Sequence, residues 1–281
     1  MYKILFIGDI VGSLGSTTVT KVLPDLKKSG NIALCLANGE NLAHGRGASR
    51  RVVEQVTAAG VDLLTSGDHI FYNEDFKNEI DYLPVIRPAN FSNSLPGNGY
   101  KVISLPQNGG RFLVINLLGT SYLTRGDDEA RLNYKELSNP FTKVDEILAN
   151  LSGEKFAGIL VDFHAEATSE KTALGFYLDG RVSAVVGTHT HVPTADCRVL
   201  PKGTAYVTDV GMTGPQDSVL GVKKEIIINR FREQGRERFE WVEDGPAVLN
   251  AVKIEVDENT RRALKIRRTD RVILGGDEYE F

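Results

Sequence analysis

Five apolar runs in this chain read as buried strands, and each ends in a side chain that can hold a metal. They are Ile4-Leu5-Phe6-Ile7-Gly8 before Asp9, residues 32–39 before Glu40 and Asn41, 61–67 before Asp68 and His69, 158–163 before His164, and 182–188 before His189-Thr190-His191. In an open α/β sheet the carboxyl ends of the strands converge on one crevice, so side chains far apart in sequence meet there. Of five histidines, three (His164, His189, His191) fall in this set and His69 stands beside it.

The segments between these runs have helical spacing. Val19, Val22, Leu23 and Leu26 place a helix over 16–29, with Pro24 expected to bend or interrupt it. Ser49 reads as the N-cap of a helix ending near Gly60. Strand–helix–strand alternation of this kind predicts parallel strands with right-handed crossovers. Residues 84–118 change character: short strands at Val85-Ile86, Tyr100–Leu105 and Phe112–Leu118, with a turn at Asn108-Gly109-Gly110, imply antiparallel or mixed pairing. Residues 118–140 show no period and read as a surface insertion. Alternation returns with helix 141–152, strand 158–163, helix 168–178 and strand 182–187, followed by a strand at Thr204–Thr208 and a turn-rich loop at 209–215. Past residue 220 a helical stretch precedes two expected strands, Ala247–Val256 and Arg262–Leu274. No repeat or linker divides the chain, so residues 1–281 are expected to form a single domain.

Charge and cysteine content narrow the function. With 33 basic and 37 acidic residues the net charge is −4, which disfavours a general basic track for nucleic acid and leaves a small phosphorylated ligand compatible. Cys35 and Cys197 are too few and too far apart for a disulfide framework or a thiolate metal site. Met1–Ile7 enters Gly8-Asp9 directly, as a first strand and not a signal peptide, and no apolar run reaches the roughly 18 residues of a membrane span. The expected location is cytoplasmic.

Asp9, Glu40 and Asp68 offer carboxylates, Asn41 an amide oxygen, and His164, His189 and His191 ring nitrogens. This exceeds the needs of one tetrahedral zinc. It suits two metals sharing a carboxylate, with imidazole and oxygen donors fitting Fe, Mn or Zn. Such a pair, about 3.5–4 Å apart, polarises a phosphoryl oxygen and stabilises entering and leaving oxygens, so phosphoester hydrolysis is the natural reaction. Singly, an Asp after a strand is an ordinary turn former. The set in this order carries the reading.

That order resembles the calcineurin-like metallophosphoesterases, whose blocks run D-x-H, G-D-x-x-D, G-N-H-[ED], a lone H, and G-H-x-H. Here the first block is Gly8-Asp9-Ile10-Val11-Gly12 without the His, and the second is Asn38-Gly39-Glu40-Asn41. These changes are similar to the YmdB-like branch, and the likeness spans roughly residues 3–275. It is densest in GDIVG, GENLAHGRG, RPAN and the long segment from Asp162 to Pro215. The resemblance implies a four-layer α/β/β/α sandwich and a cytoplasmic 2′,3′-cyclic-nucleotide 2′-phosphodiesterase, with a tendency to homo-oligomers. It places Asp9, Glu40, Asn41 and His191 on one metal and Asp68, His164 and His189 on a second, Glu40 bridging, with iron favoured. His69 would be the catalytic proton donor while a hydroxide held by the metals attacks phosphorus in line.

Two positions depart from the pattern. Asp68 stands where the family has Asn, adding a negative charge that should hold a cation more firmly and lower its Lewis acidity. His44 stands where small residues are common. The alternatives are a phosphomonoesterase, or a regulatory metal-binding protein with little turnover that acts through RNA or protein partners. Outside the set, His44 is expected to be solvated, and Asn90 either faces the crevice or satisfies local backbone. Arg125-Gly126-Asp127 reads as a solvated loop. Lys223-Lys224-Glu225 and Arg230–Arg238 mix both charges and read as a helix surface or solvated loop rather than an RNA track.

Overall fold

The structure, a computed structural model, describes residues 1–106, 110–121, 137–233, 235 and 237–274, and the backbone of 277–280. The turn expected at Asn108-Gly109 and the Arg125-Gly126-Asp127 segment lie outside the described residues.

The first third runs β1 (Tyr2–Ile7), β2 (Asp9–Ile10), α1 (Gly12–Gly30), β3 (Leu34–Asn38), α2 (Arg50–Ala58) and β4 (Leu63–Thr65). The middle runs β5 (Tyr100–Ser104), β6 (Arg111–Leu118), α3 (Pro140–Asn150), β7 (Gly158–His164), α4 (Thr168–Tyr177) and β8 (Ala184–Thr188). The remainder runs β9 (Arg198–Val199), β10 (Ala205–Val207), β11 (Met212–Pro215), α5 (Lys224–Glu233), β12 (Ala247–Leu249), β13 (Ala251–Val256), β14 (Ala263–Arg268), β15 (Arg271–Leu274) and β16 (Asp277–Glu280). One sheet has the order β14-β13-β1-β3-β4 and a second β5-β6-β7-β8-β10-β9, each with a parallel centre; a smaller sheet runs β16-β15-β12-β11-β2.

Side-chain alternation builds four layers from these elements. In β1, Ile4 and Phe6 point into a core shared with Phe112, Val114, Leu160 and Val186 of the second sheet. Leu5 and Ile7 point the other way, onto Val19, Val22 and Leu23 of α1 and Val53 and Val56 of α2. In β7, Leu160 joins the shared core while Ile159, Val161 and Phe163 pack on Val144 and Ile147 of α3 and Leu174 of α4. Both faces of each central strand are therefore covered, which is why these strands read as continuous apolar runs. The expected α/β/β/α sandwich is what forms.

Some elements depart from expectation. Pro24 neither ends nor interrupts α1. It sits on the exposed side, where water can serve the carbonyl it orphans, while the buried residues of the opposite face hold the helix in place. Ser49 occupies the N-cap position of α2 but makes no side-chain capping bond. The two expected late strands are four, because each run changes sheet midway. Asn250 breaks the first run, donating from Nδ2 to the Met212 carbonyl at 2.7 Å, and Asp270 breaks the second, accepting from the Ala251 N–H at 3.0 Å. β12 and β15 thus pair in the small sheet, and β13 and β14 in the first. The 84–118 region is mixed as expected: β5 and β6 form an antiparallel pair and Val85 bridges Leu64 in parallel. No helix among the described residues is long and apolar enough to cross a membrane.

Candidate metal centre

Four strands deliver the cluster. β3 passes into Glu40, β4 into Asp68, β7 ends on His164, and β8 stops one residue before His189. Ligand atoms of Glu40, Asp68, His164 and His189 all lie within 4.8 Å of one another. His164 Nε2 is 3.2 Å from both Glu40 Oε1 and Asp68 Oδ1, and 3.0 Å from His189 Nδ1. Gly67 makes this packing possible: a Cβ there would lie 2.2 Å from Glu40 Oε2 and 2.3 Å from the His164 ring.

Asp9, Asn41 and His191 border this group. Asp9 Oδ2 accepts from the His189 N–H at 3.2 Å, while Oδ1 is buried without a hydrogen-bond partner. His191 Nδ1 is likewise buried and unpartnered, and its Nε2 lies 4.0 Å from Asp9 Oδ1. Asn41 Nδ2 donates to Glu40 Oε1 at 3.0 Å and sits 3.2 Å from His191 Nε2. To ligate, the amide would present its oxygen instead, a half-turn about its last bond.

The donor set fits a cation. Three buried carboxylates converge with imidazoles as their closest charge partners, and two of the buried polar atoms there lack hydrogen-bond partners, both costly unless a cation satisfies them. The electrostatics carry the same strain. Burial pushes the Asp9 carboxyl up to about 7, against the pull of His164. Burial also works to raise Glu40, but the charges of His164 and His69 outweigh it and hold that carboxyl well below its usual range. Asp68 is raised by burial and by Glu40, yet His69, His164 and His189 bring it down to about 2. His191 is lowered to about 4 by burial and the neighbouring His189, so its ring is neutral and free to ligate.

His69 lies at the rim, its Nδ1 3.4 Å from Glu40 Oε1 and its Nε2 3.5 Å from Asp68 Oδ2. Burial disfavours its charge, but Asp68 and Glu40 overcome that and lift the ring to about 9.

Residues 5–269 match the family described as YmdB-like protein. The chain belongs to that family. It is 45% identical over 280 residues to the 2′,3′-cyclic-nucleotide 2′-phosphodiesterase of Bacillus subtilis (strain 168), covering 99% of each chain. A crystal structure of a novel phosphatase of Mycoplasma pneumoniae superposes with a TM-score of 0.86 at 36% identity, over 96% of this chain and 93% of that one. A putative 5′-nucleotidase of Staphylococcus aureus shares the fold at a TM-score of 0.59 and 14% identity, with 95% of this chain matched to 54% of that one.

In this YmdB-like sandwich further residues orient the candidate ligands. Glu166, two residues beyond His164, meets His189 Nε2 at 3.1 Å, leaving Nδ1 turned toward the cluster; a carboxylate on the far nitrogen of a ligating imidazole fixes its tautomer and direction. His164 Nδ1 is 2.9 Å from Thr188 Oγ1, which donates to Asp162 Oδ1 at 2.8 Å. Burial raises the Asp162 carboxyl to about 7 despite bonds from Thr65 and Thr188. His189 and His191 have φ of 98° and 64°, a conformation L-residues rarely adopt. Thr190 between them is tied down: its N–H and Oγ1 donate to Asp209 Oδ2 at 3.1 and 2.8 Å, and Asp209 is paired with the buried Lys171 at 2.7 Å. A carboxylate two residues from a candidate ligand, as with Glu166, is the available sequence signal. Asn90 serves backbone only, bonding Leu118 at both ends of its amide and the Ser138 carbonyl. His44 lines a cavity together with Arg230 and Arg238.

Proposed function

We propose that this chain is a dinuclear-metal phosphodiesterase that opens 2′,3′-cyclic nucleotides or similar small phosphodiesters. The observation that carries the reading is the convergence of Glu40, Asp68, His164 and His189 at the strand ends of a chain 45% identical to an enzyme of that name. Asp9, Glu40, Asn41 and His191 would hold one metal, and Asp68, His164 and His189 the second with Glu40 shared, iron being favoured and Mn or Zn compatible with the same donors. Two bound cations supply Lewis-acid polarisation of the phosphoryl group and an activated water.

The chain's own residues do the rest. Glu166 and Thr188 orient the rings of His189 and His164. Glu40 and Asp68 favour the protonated His69 ring, which gives its proton to the departing ribose oxygen as the phosphorus–oxygen bond at the 2′ position breaks. With metal bound at Glu40 and Asp68, those carboxylates would hold the His69 proton less tightly than the value of about 9 implies, nearer the range where a general acid works best. In the same reading residues 1–281 act as one domain in a cytoplasmic homo-oligomer, with a small phosphodiester as the partner.

The test is metal content with turnover of 2′,3′-cAMP, before and after chelation and with Fe, Mn or Zn restored. Two metals per chain, and activity that leaves with chelator and returns with metal, are expected. His69→Ala should retain both metals and lose about 10²–10⁴-fold in turnover. Full metal content with no turnover of cyclic or model esters would overturn the enzyme reading, and unchanged turnover in His69→Ala would remove that residue from the acid role.

A further inference from the structure

A cavity of about 780 Å³ opens beside the candidate centre. That is the volume of a small-molecule site, larger than one cyclic phosphate needs. Two contacts tie it to the catalytic rim. The Tyr72 N–H donates to the His69 carbonyl at 2.8 Å, and Gly47, next to Arg46, approaches the same carbonyl so closely that a Cβ would stand 3.4 Å away.

Its walls combine aromatic faces with guanidinium groups. The Phe239 ring lies between Arg46, 5.7 Å from its centroid, and Arg230 at 4.8 Å; Arg46 also lies 5.8 Å from the Tyr72 ring. Both guanidinium groups thus stand against one ring, and planar forks brought together in this way suit capture of a phosphate. Tyr72 is 59% exposed and offers a usable face for a base. Trp241 packs flat on Gly45, where a Cβ would come within 2.1 Å of the indole. Arg238 adds a third cation and Glu237 a carboxylate among the described lining residues.

Resting on the phosphodiesterase reading, we infer that this cavity is the subsite for the 5′ side of the substrate. The base or ribose lies against the Tyr72 and Trp241 rings, and a 5′-phosphoryl group is held by Arg46 and Arg230. The favoured substrate is then a 2′,3′-cyclic nucleotide carrying a phosphate at its 5′ position. That phosphate is either a free monoester or the diester link of a short oligonucleotide.

Three esters separate the cases: adenosine 2′,3′-cyclic phosphate, its 5′-phosphorylated form, and the dinucleotide ending in the same cyclic phosphate. The metal-loaded protein should show kcat/KM about tenfold or more higher for the 5′-phosphorylated ester, the effect of one or two hydrogen bonds to a charged group. Arg230→Ala and Arg46→Ala should collapse that ratio toward one, and Arg230→Lys should restore part of it. Preference for the dinucleotide over the monoester would identify oligonucleotide ends as the source, and the reverse order free nucleotides. Trp241, the single tryptophan of the chain, gives a readout free of turnover: titration with adenosine 5′-monophosphate should change its fluorescence in wild type and not in Arg230→Ala. Equal kcat/KM for all three esters with no fluorescence response would overturn the subsite while leaving the phosphodiesterase standing. A fluorescence response that needs Arg230, with no ester turned over, would sink the phosphodiesterase and keep the cavity as a nucleotide site.

Discussion

The two halves of the candidate metal centre are built to different tightness. Glu40, Asp68, His164 and His189 already contact one another and balance much of their charge internally. Across the centre, Asp9 and His191 each bury an atom that nothing satisfies. His164, at the middle of the first group, ends a fully buried central strand and is fixed by its ladder, whereas His189 and His191 both ride a loop whose direction depends on Thr190 and Asp209. The tight half is preorganised by its mutual contacts; with two cations bound as proposed, the open half, where Asp9 and His191 lack partners, should release its cation first when chelator is added.

The largest effect should come from Glu40→Gln, because that carboxylate touches both halves. Loss of an outer hydrogen-bond partner alone costs about 10–100-fold in metal affinity. Removing a shared carboxylate charge should exceed this, emptying both positions and leaving turnover at background. Elemental analysis that still finds one tightly held metal would confine Glu40 to a single half.

Next is Lys171→Met, which strands Asp209 as a buried charge under the open half. Breaking such a pair costs about 3–5 kcal/mol. Urea unfolding should show that loss, and surviving folded protein should bind metal more weakly, because Thr190 between His189 and His191 is tied to Asp209. Unchanged metal content would mean the His189–His191 turn holds itself.

Asp68→Asn probes the tight half more gently by removing charge without changing shape. Metal should be held more weakly and turnover should rise, each within about tenfold. Slower turnover with unchanged metal retention would show that the carboxylate is needed for the chemistry.

The smallest effect concerns Asp196, which braces the loop of the open half by accepting from Thr208 Oγ1 at 2.6 Å and Thr194 Oγ1 at 2.7 Å. Burial works to raise this carboxyl, but the threonine bonds hold it below its ordinary 3.8. With the folded value depressed, its stabilisation is present above about pH 4 and fades as pH falls through the folded value. Partial exposure keeps the contribution under about 1 kcal/mol. Melting curves from pH 7 to pH 3 should show Asp196→Asn losing less than wild type on acidification; parallel curves would mean that those bonds contribute nothing.

Burial decided what the sequence disclosed. The central strands are covered on both faces, so they stand out as apolar runs, and the polar residues ending them mark the crevice without further help. Lys171 gave no such sign, since a lysine in a helix reads as solvent-facing until its partner, 38 positions away, is known. Glu166 was hidden for the opposite reason, being 53% exposed and looking like any surface acid. The sheet changes at Asn250 and Asp270 escaped because apolar patterning reports which residues are buried and not against which sheet. Arg46, Arg230 and Phe239 are spread over two segments that only the fold brings together.

The backbone around Asp9 is closed by segments that come far later in the sequence. The Gly8 N–H donates to the Asn250 carbonyl at 2.9 Å, the Asp9 N–H donates to the Gly211 carbonyl at 3.0 Å, and β1 is flanked by β13. Synthesis delivers Asp9 long before Gly211 and Asn250. Every candidate ligand thus emerges before the clamp that sets the first of them, and a product truncated ahead of β13 would carry the donors without their arrangement.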